Sequence, residues 1–420
     1  MIEHRNMLPC GRPPRIMLVA GEASGDNLAG ALLSDLRDHF PDLESFGVGG
    51  VRMEQAGFHS VCHLNELSVI GLVEVVRRLP TLIRRFRELV ALMETRRPDL
   101  LITVDLPDFN FLLARRARAL GIARIHYVGP QVWAWRAGRA GKLARLLDHL
   151  LVLFPFETGV YAQSGLPVTF VGHPLARCPL PGEMERQRMR DELGLAAHEK
   201  LLLLLPGSRL GEIRRHLSVM VEASRRVVEE SGAVRCVLAL ADTLTESDLD
   251  GVMREVGDPA TCAFFERIVV RKGVTRLLLA VADASMVASG TATLEAALSG
   301  APMTVMYRVN RLTYEIGRRV IRVAHIALPN LVAGRTLVPE RIQHDATPER
   351  LCADVWALLF DGVSARQQRV EFDAIRGQLS QPLLSPVAVV LDWLRALGFE
   401  SRRNSGIPCP AEGCEWPVGG

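Results

Sequence analysis

The stretches IMLVAGEASGD (residues 16–26) and LLLLLPGSR (residues 201–209) decide the predicted fold. Each is a short apolar run that ends in glycine and other small residues, a pattern typical of a buried strand followed by a turn. Residues 28–40 have apolar side chains at helical spacing, and a helix is also predicted after the second stretch. Each stretch therefore predicts a strand, a turn and a helix in succession.

Similar apolar runs recur along the chain and alternate with helical segments. In the first half they are LLITVD, RIHYVG, HLLVLF and TFVGH (residues 100–105, 124–129, 149–154 and 169–173), and in the second half CVLAL, RIVV and ASMVAS (residues 236–240, 267–270 and 284–289). Such alternation is typical of a parallel sheet that is covered by helices on both faces. Because the series restarts after residues 174–182, we predict an α/β fold of two Rossmann-like domains that face a cleft.

These patterns also set the predicted domain boundaries. An N-terminal domain over residues 15–174 is followed by a C-terminal domain over residues 175–380 and a C-terminal helix over residues 381–401. Residues 1–14 and 402–420 are rich in proline, glycine and polar residues, and we predict that they are disordered tails. Ligands of parallel α/β sheets bind at the carboxyl ends of strands, so the loops that follow strands are the candidate sites.

The composition restricts the class of protein. Of 420 residues, 48% are hydrophobic and 23% are charged, which are globular values and exclude wholesale disorder. The net charge of +3 is too small for a nucleic-acid-binding field over the whole chain, so we expect no nucleic-acid partner. No apolar run approaches the ~18–20 residues of a membrane span, and no signal peptide precedes Arg15. The eight cysteines lack zinc-binding spacing, so reduced thiols, no metal site and a cytoplasmic location are predicted.

Two candidate loops follow strands of the N-terminal domain. In GEASGD, Ser24, Gly25 and Asp26 precede a helix predicted to start near Asn27, and either bind an anion or cap that helix through Asp26. In VDLPDFN, Asp105 ends a buried strand, where a desolvated carboxylate is suited to act as a general base. Asp108 is predicted to cap the helix that follows.

The loop LPGSRLGEIRRH follows a strand of the C-terminal domain. Gly207, Ser208 and Arg209 bring backbone N–H groups, a hydroxyl and a guanidinium to the start of a helix, as phosphate recognition requires. The structural alternative is a capped helix with a solvated arginine.

The segment ASGTATLEAALSGAP, residues 288–302, supplies the fourth loop. Gly290 and Thr291 are predicted to begin a helix with Glu295 in its first turn. A carboxylate at this place is suited to the hydroxyl groups of a ribose, by analogy with acidic residues in other nucleotide sites. The structural alternative is that Glu295 stabilises the helix dipole.

The segment ELSVIGLVEVVRRLPTLIRRFRELV, residues 66–90, combines many apolar residues with five arginines. We predict a pair of helices here. A basic and strongly apolar surface of this kind either lies on an anionic membrane and accepts acyl chains, or covers the sheet with its arginine stems.

Taken together, the motifs resemble those of one family, the lipid-A-disaccharide synthases, which are glycosyltransferases of family 19 with the GT-B fold. The resemblance extends from about Arg15 to Phe399 and depends on nine motifs in the same order. They are LVAGEASGD, ELSVIGLVEV, VDLPDFN, IHYVGPQVWAWR, FPFE, FVGHPL, LLPGSR, SGTATLE and LPNLVAGR (starting at residues 18, 66, 104, 125, 154, 170, 204, 289 and 328). One departure is Gly129, where many members have serine.

The resemblance implies a reaction and its partners. Members transfer 2,3-diacylglucosamine from its UDP donor to 2,3-diacylglucosamine 1-phosphate, with inversion and without a metal or cofactor, giving the β(1→6) disaccharide of lipid A and UDP. The reaction takes place at the cytoplasmic face of the inner membrane of Gram-negative bacteria, where the protein is expected to be a peripheral membrane protein. A second copy of the chain is a further candidate partner.

The resemblance also assigns roles to residues. Asp105 matches the base that takes the proton of the acceptor 6-hydroxyl. Arg209 matches the residue near the donor diphosphate, and Glu295 the residue that binds the ribose. Asn330 matches a residue important for activity, which we place with the donor site. The remaining matched positions are those of the donor loops (Gly207, Ser208, Gly290 and Thr291) and of the acceptor loop (Ser24, Gly25 and Asp26).

Two alternatives remain at the level of sequence. The chain is a different UDP-sugar enzyme of the same fold, such as a cell-wall glucosaminyltransferase or a 2-epimerase, or it binds nucleotide sugars without catalysis. The apolar, arginine-bearing residues 66–90 favour a lipid-linked substrate over an epimerase.

Overall fold

A computed structural model describes residues 11–63, 72–130, 140–256, 258–310, 314–315 and 324–401. The chain divides into two compact units. Among the described residues, the first unit consists of residues 11–174 and 381–401, and the second consists of residues 175–380. The predicted tryptophan motif at residues 131–136 and the predicted tails at 1–10 and 402–420 lie outside the described residues.

The first unit contains a sheet of seven parallel strands in the order β3-β2-β1-β4-β5-β6-β7, counted over the described residues. The strands are β1 (Arg15–Ala20), β2 (Glu44–Gly49), β3 (His59–His63), β4 (Leu100–Val104), β5 (Ala123–Tyr127), β6 (His149–Val152) and β7 (Val168–Phe170). The helices of this unit are Ala23–His39, Val51–Gln55, Leu72–Arg96, Pro107–Ala119, Ala140–Ala144, Pro155–Tyr161 and Pro386–Ala396.

The second unit contains six parallel strands in the order β10-β9-β8-β11-β12-β13, again among the described residues. The strands are β8 (Lys200–Leu205), β9 (Val234–Leu240), β10 (Val269–Lys272), β11 (Ala284–Ala288), β12 (Met303–Tyr307) and β13 (Glu340–Ile342). Its helices are Glu183–Glu192, Leu210–Ser231, Glu246–Val256, Pro259–Phe265, Thr275–Val281, Thr291–Leu298, Leu328–Ala333, Pro348–Trp356 and Val363–Ser380. The helix Pro174–Arg177 lies at the boundary between the units.

Both sheets are buried on two faces, which is why their strands are apolar without alternation. In β8, every leucine from Leu201 to Leu205 is buried, and in β4 every residue from Leu100 to Val104 is buried. The predicted fold class, an α/β protein with two parallel-sheet domains, is confirmed.

The two ends of the first unit contact its body. The indole Nε1 of Trp393, on the helix Pro386–Ala396, donates a hydrogen bond of 3.1 Å to Nδ1 of His149 in β6. Arg12, which falls in the predicted N-terminal tail, forms an ion pair of 2.6 Å with Asp99. Within the described part of that tail, Arg12 therefore contacts the residue that directly precedes β4.

Two predicted helix starts are wrong by one turn or less, and in a third helix one residue lies in a later turn than predicted. The first helix begins at Ala23 and not near Asn27, so Ser24, Gly25 and Asp26 lie in its first turn. The helix after β4 begins at Pro107, which makes Asp108 a first-turn residue and not the cap. The helix after β11 begins at Thr291, as predicted, but Glu295 lies in its second turn and away from the end of the helix dipole.

Candidate functional site

The candidate loops lie at one particular position in each sheet. In the first sheet, β1 and β4 are neighbours from which the strand order runs outward in opposite directions, and β8 and β11 hold the same position in the second sheet. Such switch points open a crevice at the carboxyl ends of the strands, where α/β proteins bind ligands. GEASGD and VDLPDFN follow β1 and β4, and LPGSR and SGTATLE follow β8 and β11. Each sheet thus carries its two candidate loops at its own switch point.

Asp105 directly follows β4 in an unfavourable backbone conformation. Its φ angle is +53° and that of Leu106 is +45°. Both values lie in the left-handed region, which residues other than Gly, Asn and Asp rarely adopt. Leu106 also precedes a proline, which restricts its backbone further. Two successive residues of this kind cost about 1–3 kcal/mol each and persist only where the surroundings impose them.

The turn at Leu106 packs on the first candidate loop. A Cβ atom built on Gly21 would lie 2.5 Å from the Cβ of Leu106. Only glycine at position 21 therefore leaves room for the Leu106 side chain. This close approach fixes the GEASGD segment against the end of β4.

The Asp105 carboxylate is half-buried and has one backbone donor. The N–H of Leu106 donates to Oδ1 at 2.9 Å. Burial raises the pKa of Asp105 above its ordinary value, and the hydrogen bond from Leu106 lowers it by a smaller amount. A partly desolvated carboxylate with a raised pKa is a stronger proton acceptor than an exposed one.

Asp26 has a structural role that differs from both predicted ones. Its carboxylate is buried and accepts hydrogen bonds from the N–H groups of Gly50 at 2.8 Å, Arg52 at 3.0 Å and Met53 at 3.1 Å. It therefore caps the helix Val51–Gln55 and not the helix in which it lies. Gly25 is buried as well. Of the three predicted acceptor-loop residues, Ser24 is therefore the exposed one.

In the second unit, the residues after β8 leave Arg209 available to a ligand. Gly207 has φ +123°, and a Cβ there would lie 2.6 Å from Oε2 of Glu212. That same oxygen accepts the N–H of Ser208 at 3.1 Å, so a carboxylate holds the turn that precedes the helix Leu210–Ser231. The side chain of Arg209 is 64% exposed and lies 4.0 Å from Glu212. Arg209 thus sits at a helix N-terminus, where an anion is favoured.

The loop after β11 places Glu295 without a hydrogen-bond partner among the described residues. Gly290 has φ +152°, a conformation reserved for glycine, and Thr291 is exposed at the start of the helix. Burial raises the pKa of Glu295, and the charge of Arg276 lowers it by a smaller amount. A partly buried carboxylate with unused acceptor capacity is suited to bind hydroxyl groups.

Asn330 is wrong as a direct ligand of the donor. It is 0% exposed. Its Oδ1 accepts the N–H groups of Leu337 at 2.7 Å and Val338 at 2.9 Å, and its Nδ2 donates to the Val338 carbonyl at 3.0 Å and to Oε1 of Glu340 at 2.8 Å. Because every donor and acceptor of the amide is used, Asn330 shapes the loop before β13 and has no free atom for a ligand.

Glu340 is a residue that the sequence did not single out. Its carboxylate accepts the N–H groups of Ile326 at 3.1 Å and Ala327 at 3.0 Å in addition to the amide of Asn330. The same segment reaches the donor loop, since the hydroxyl of Ser289 donates to the Ile326 carbonyl at 3.2 Å. Glu340 thus links the LPN segment to the loop after β11. As the first residue of the short strand β13, it belongs to no motif that would have marked it in the sequence.

His216 is a second missed residue and joins two loops. Its Nδ1 lies 2.9 Å from the Pro206 carbonyl oxygen, and its Nε2 accepts the N–H of Arg308 at 3.0 Å. Because a backbone N–H only donates, Nε2 carries the lone pair and Nδ1 carries the proton. Burial lowers the pKa of His216, which keeps the ring neutral. The imidazole therefore holds the loop after β8 at a fixed separation from the end of β12.

The basic apolar segment, residues 66–90, is described from residue 72 onward, and residues 66–71 lie outside the described residues. Its described part belongs to one helix, Leu72–Arg96. One face packs on the first sheet through Leu89 and Met93, which are buried. On the remaining surface, Leu79 is 47% and Ile83 is 43% exposed. The predicted pair of helices is therefore wrong for residues 72–90, and both sheet packing and an exposed apolar surface are present.

Neither a metal cluster nor a membrane-spanning helix occurs in the described ranges. No group of three or more His, Cys, Asp or Glu side chains there is arranged to hold a metal ion. None of the helices described is both long and apolar enough to cross a bilayer.

Comparison with solved structures defines the class of protein. The crystal structure of a UDP-N-acetylglucosamine 2-epimerase superposes with a TM-score of 0.54 at 14% identity and covers 87% of this chain and 94% of its own. Anabaena HepE in complex with UDP and glucose gives a TM-score of 0.54 at 12% identity, covering 92% and 99%. At this identity the likeness concerns the fold, which is that of the GT-B glycosyltransferases and related epimerases.

Sequence comparison is more specific. Residues 16–383 match the family described as lipid-A-disaccharide synthetase. The lipid-A-disaccharide synthase of Pseudomonas aeruginosa is 44% identical over 368 residues, covering 87% of this chain and 94% of the relative. That of Geobacter metallireducens is 41% identical over 365 residues, covering 87% and 93%. The chain belongs to the lipid-A-disaccharide synthetase family and is a glycosyltransferase, which confirms the predicted resemblance and not the epimerase or binding-protein alternatives.

Proposed function

We propose that this protein transfers 2,3-diacylglucosamine from UDP-2,3-diacylglucosamine to 2,3-diacylglucosamine 1-phosphate. The products are the β(1→6) disaccharide 1-phosphate and UDP, in the biosynthesis of lipid A. Family membership supports the reaction, and the Asp105 turn is the observation that supports the mechanism. A carboxylate held there at an energetic cost, at the switch point of the first sheet, indicates a chemical role.

Asp105 is the proposed base. Inversion at the anomeric carbon needs one carboxylate that removes a proton from the attacking hydroxyl, here the acceptor 6-hydroxyl. The oxygen of that hydroxyl bonds to the anomeric carbon as the bond to the UDP oxygen breaks. Burial raises the pKa of Asp105, which strengthens it as a proton acceptor.

The second unit carries the proposed donor site. Arg209 and the N-terminus of the helix Leu210–Ser231 stabilise the charge that develops on the departing UDP. The turn made by Gly207 and Ser208 brings the backbone close to the diphosphate. The loop of Gly290 and Thr291 approaches the nucleoside, and Glu295 accepts hydrogen bonds from the ribose hydroxyls.

A transfer assay tests the reaction. Purified protein, radiolabelled UDP-2,3-diacylglucosamine and 2,3-diacylglucosamine 1-phosphate are mixed in detergent with EDTA, and the lipid product is separated. A labelled disaccharide establishes the transfer without an added metal. Activity only after magnesium replaces EDTA contradicts the metal-independent step. No product under either condition, with UDP still bound, contradicts the proposed substrates.

We also propose that the helix Leu72–Arg96 places the protein at the surface of an anionic membrane. Leu79 and Ile83 are exposed apolar side chains, and Arg84 and Arg87 are exposed beside them. Apolar insertion combined with basic residues near anionic headgroups gives reversible, salt-sensitive binding. Acylated substrates reside in such a membrane, so this location brings the enzyme to them.

Vesicle sedimentation tests the membrane proposal. We expect binding to vesicles that contain phosphatidylglycerol, weakened by salt and by the double substitution L79S/I83S. The matched control is V363S/V370S, which removes two exposed valines of the second unit. Equal binding of both variants contradicts the proposed role of this helix.

A further inference from the structure

Asn110 is a buried polar residue whose side chain contacts the strained turn. It lies in the first half of the helix Pro107–Ala119 and is 0% exposed. Its Nδ2 donates to the Asp105 carbonyl oxygen at 2.6 Å and lies 3.4 Å from the Val104 carbonyl oxygen. Its backbone N–H donates to the Leu106 carbonyl at 3.1 Å. One residue thus binds three successive peptide groups at the end of β4.

The other half of the same amide makes no hydrogen bond with any described residue. The Oδ1 atom of Asn110 is fully buried and has no partner there. A buried acceptor without a partner is unfavourable, and an apolar side chain of similar size avoids that loss. Packing alone therefore does not favour asparagine at this position. What the asparagine supplies is the pair of contacts from Nδ2 to the carbonyls of Val104 and Asp105.

Those contacts act on the peptide groups that carry the unfavourable φ angles. The Asp105 carbonyl is the acceptor nearest to Nδ2, and Asp105 and Leu106 are the residues with φ of +53° and +45°. Gly21 makes room for Leu106 on the side of the GEASGD loop, and Asn110 holds the carbonyls from the side of the helix. The backbone N–H of Leu106 is thereby aimed at the Asp105 carboxylate.

We propose that Asn110 is a positioning residue for the transfer reaction, which fixes the Asp105 turn so that the carboxylate meets the acceptor hydroxyl. This inference rests on the proposed role of Asp105 as base. Loss of the Nδ2 contacts lets the turn relax toward ordinary φ values and moves the carboxylate. A misplaced base reduces the rate of the chemical step and leaves nucleotide binding by the second unit unchanged.

The first test is the Asn110→Leu substitution in the full-length protein. We expect kcat to fall at least tenfold, with an unchanged Kd for UDP measured by calorimetry. The matched control is Gln368→Leu, since the buried Gln368 amide also binds a backbone, with Oε1 2.7 Å from the N–H of Met303 and Nε2 3.1 Å from its carbonyl. Met303 begins β12, away from the candidate loops. We expect Q368L to lower the melting temperature and to leave kcat unchanged.

The second test is Asn110→Asp, which keeps the shape of the side chain. A protonated aspartic acid still donates to the Asp105 carbonyl, whereas an ionised one repels both carbonyl oxygens. We expect kcat of N110D, divided by that of the wild type and corrected for folded fraction, to fall as pH rises. A residue that only fills space gives a flat ratio. This variant decides the question if N110L does not fold.

The outcomes distinguish the positioning role of Asn110 from the proposed role of Asp105 as base. Asp105→Ala is measured in the same assay. If D105A is inactive while N110L and N110D keep wild-type kcat at all pH values, the role of Asn110 is wrong and the base stands. If N110L loses UDP binding along with kcat, the positioning role is also overturned. If D105A keeps wild-type activity, the proposed base fails first.

Discussion

At the switch points of the two sheets, the turns of unusual backbone conformation are made by different residues. In the second unit, Gly207 with φ +123° and Gly290 with φ +152° make these turns. In the first unit, Asp105 and Leu106 do so with side chains present. Glycine adopts positive φ at no steric cost, whereas other residues lose about 1–3 kcal/mol. Glycine is sufficient where only the backbone must approach a ligand. A turn that must carry a carboxylate cannot use glycine at that position.

The two edges also differ in how their polar side chains are occupied. In the first unit, Asp26 binds three backbone N–H groups and Asn110 binds the turn of Asp105. In the second unit, Arg209 is largely exposed, and Glu295 has no hydrogen-bond partner among the described residues. The first edge is therefore preorganised around one carboxylate, and the second presents side chains that are free to receive a ligand.

Removal of the Asp105 carboxylate is expected to have the greatest effect on activity. Asp105→Ala removes the base, and we expect the transfer rate to fall ~10²–10⁴-fold, as loss of a general base does. The Kd for UDP stays near the wild-type value because the donor loops belong to the other unit. The control is Asp250→Ala, at an exposed aspartate of the second unit. A wild-type rate for D105A contradicts the proposed mechanism.

Asn330→Ala tests the corrected role of Asn330. The substitution leaves the N–H groups of Leu337 and Val338 without their side-chain partner and removes one of the donors to Glu340, which we expect to lower the free energy of unfolding by at least about 2 kcal/mol. Chemical denaturation measures that loss, and UDP affinity falls with it because the loop after β11 is linked to the same segment. Unchanged unfolding together with lost UDP binding shows instead that the amide contacts the ligand.

Arg209→Ala tests whether the exposed guanidinium of the second unit binds the donor. A guanidinium that makes charge-assisted hydrogen bonds to a diphosphate contributes about 1.5–3 kcal/mol, so we expect UDP to bind ~10–100-fold more weakly. Arg209 is 64% exposed, so the free energy of unfolding stays unchanged. Arg214→Ala, at an arginine of the same helix that is 52% exposed, serves as the matched control. Equal losses in both variants contradict a specific role for Arg209.

Much of the fold could be predicted from the sequence because its strands are buried on both faces. A run such as LLLLL in β8 has no polar alternation, and the small residues after each strand mark the turns. The position of Asp105 after β4 followed from the same rule. These signals are local, so one sequence was sufficient to find them.

The roles that the sequence missed depend on contacts between distant residues. The N–H groups that Asp26 caps lie 24 to 27 residues after it in the chain. The N–H groups that Glu340 accepts lie 13 and 14 residues before it. The helix starts were wrong for a different reason. Glu22 and Leu106 precede the two misplaced helices without a side-chain cap, so the usual capping residues did not mark these starts.

A smaller effect tests the cost of the two kinds of turn directly. Asp105→Gly relieves the positive φ, and we expect the protein to gain up to about 1 kcal/mol of stability while losing transfer activity. Gly207→Ala places a Cβ 2.6 Å from Glu212 at φ +123°, and we expect a loss of at least about 1 kcal/mol. Thermal denaturation measures both changes. A loss of stability in D105G shows that the turn carries no strain.

The smallest expected effect is the pH dependence that Asp105 imposes on stability. Burial raises its pKa above the ordinary value near 3.8, so at pH values between the two the folded protein binds more protons than the unfolded chain. The contribution of Asp105 to the stability of the wild type therefore falls as pH rises through this window and is level above it. Asp105→Asn keeps the shape but does not titrate, so its stability relative to the wild type increases over the same interval. Denaturation of both proteins from pH 3.5 upward measures the difference, with Asp250→Asn as the exposed control. A difference of the opposite sign shows that the folded protein stabilises the charged carboxylate, in which case desolvation is not the property that makes Asp105 a base.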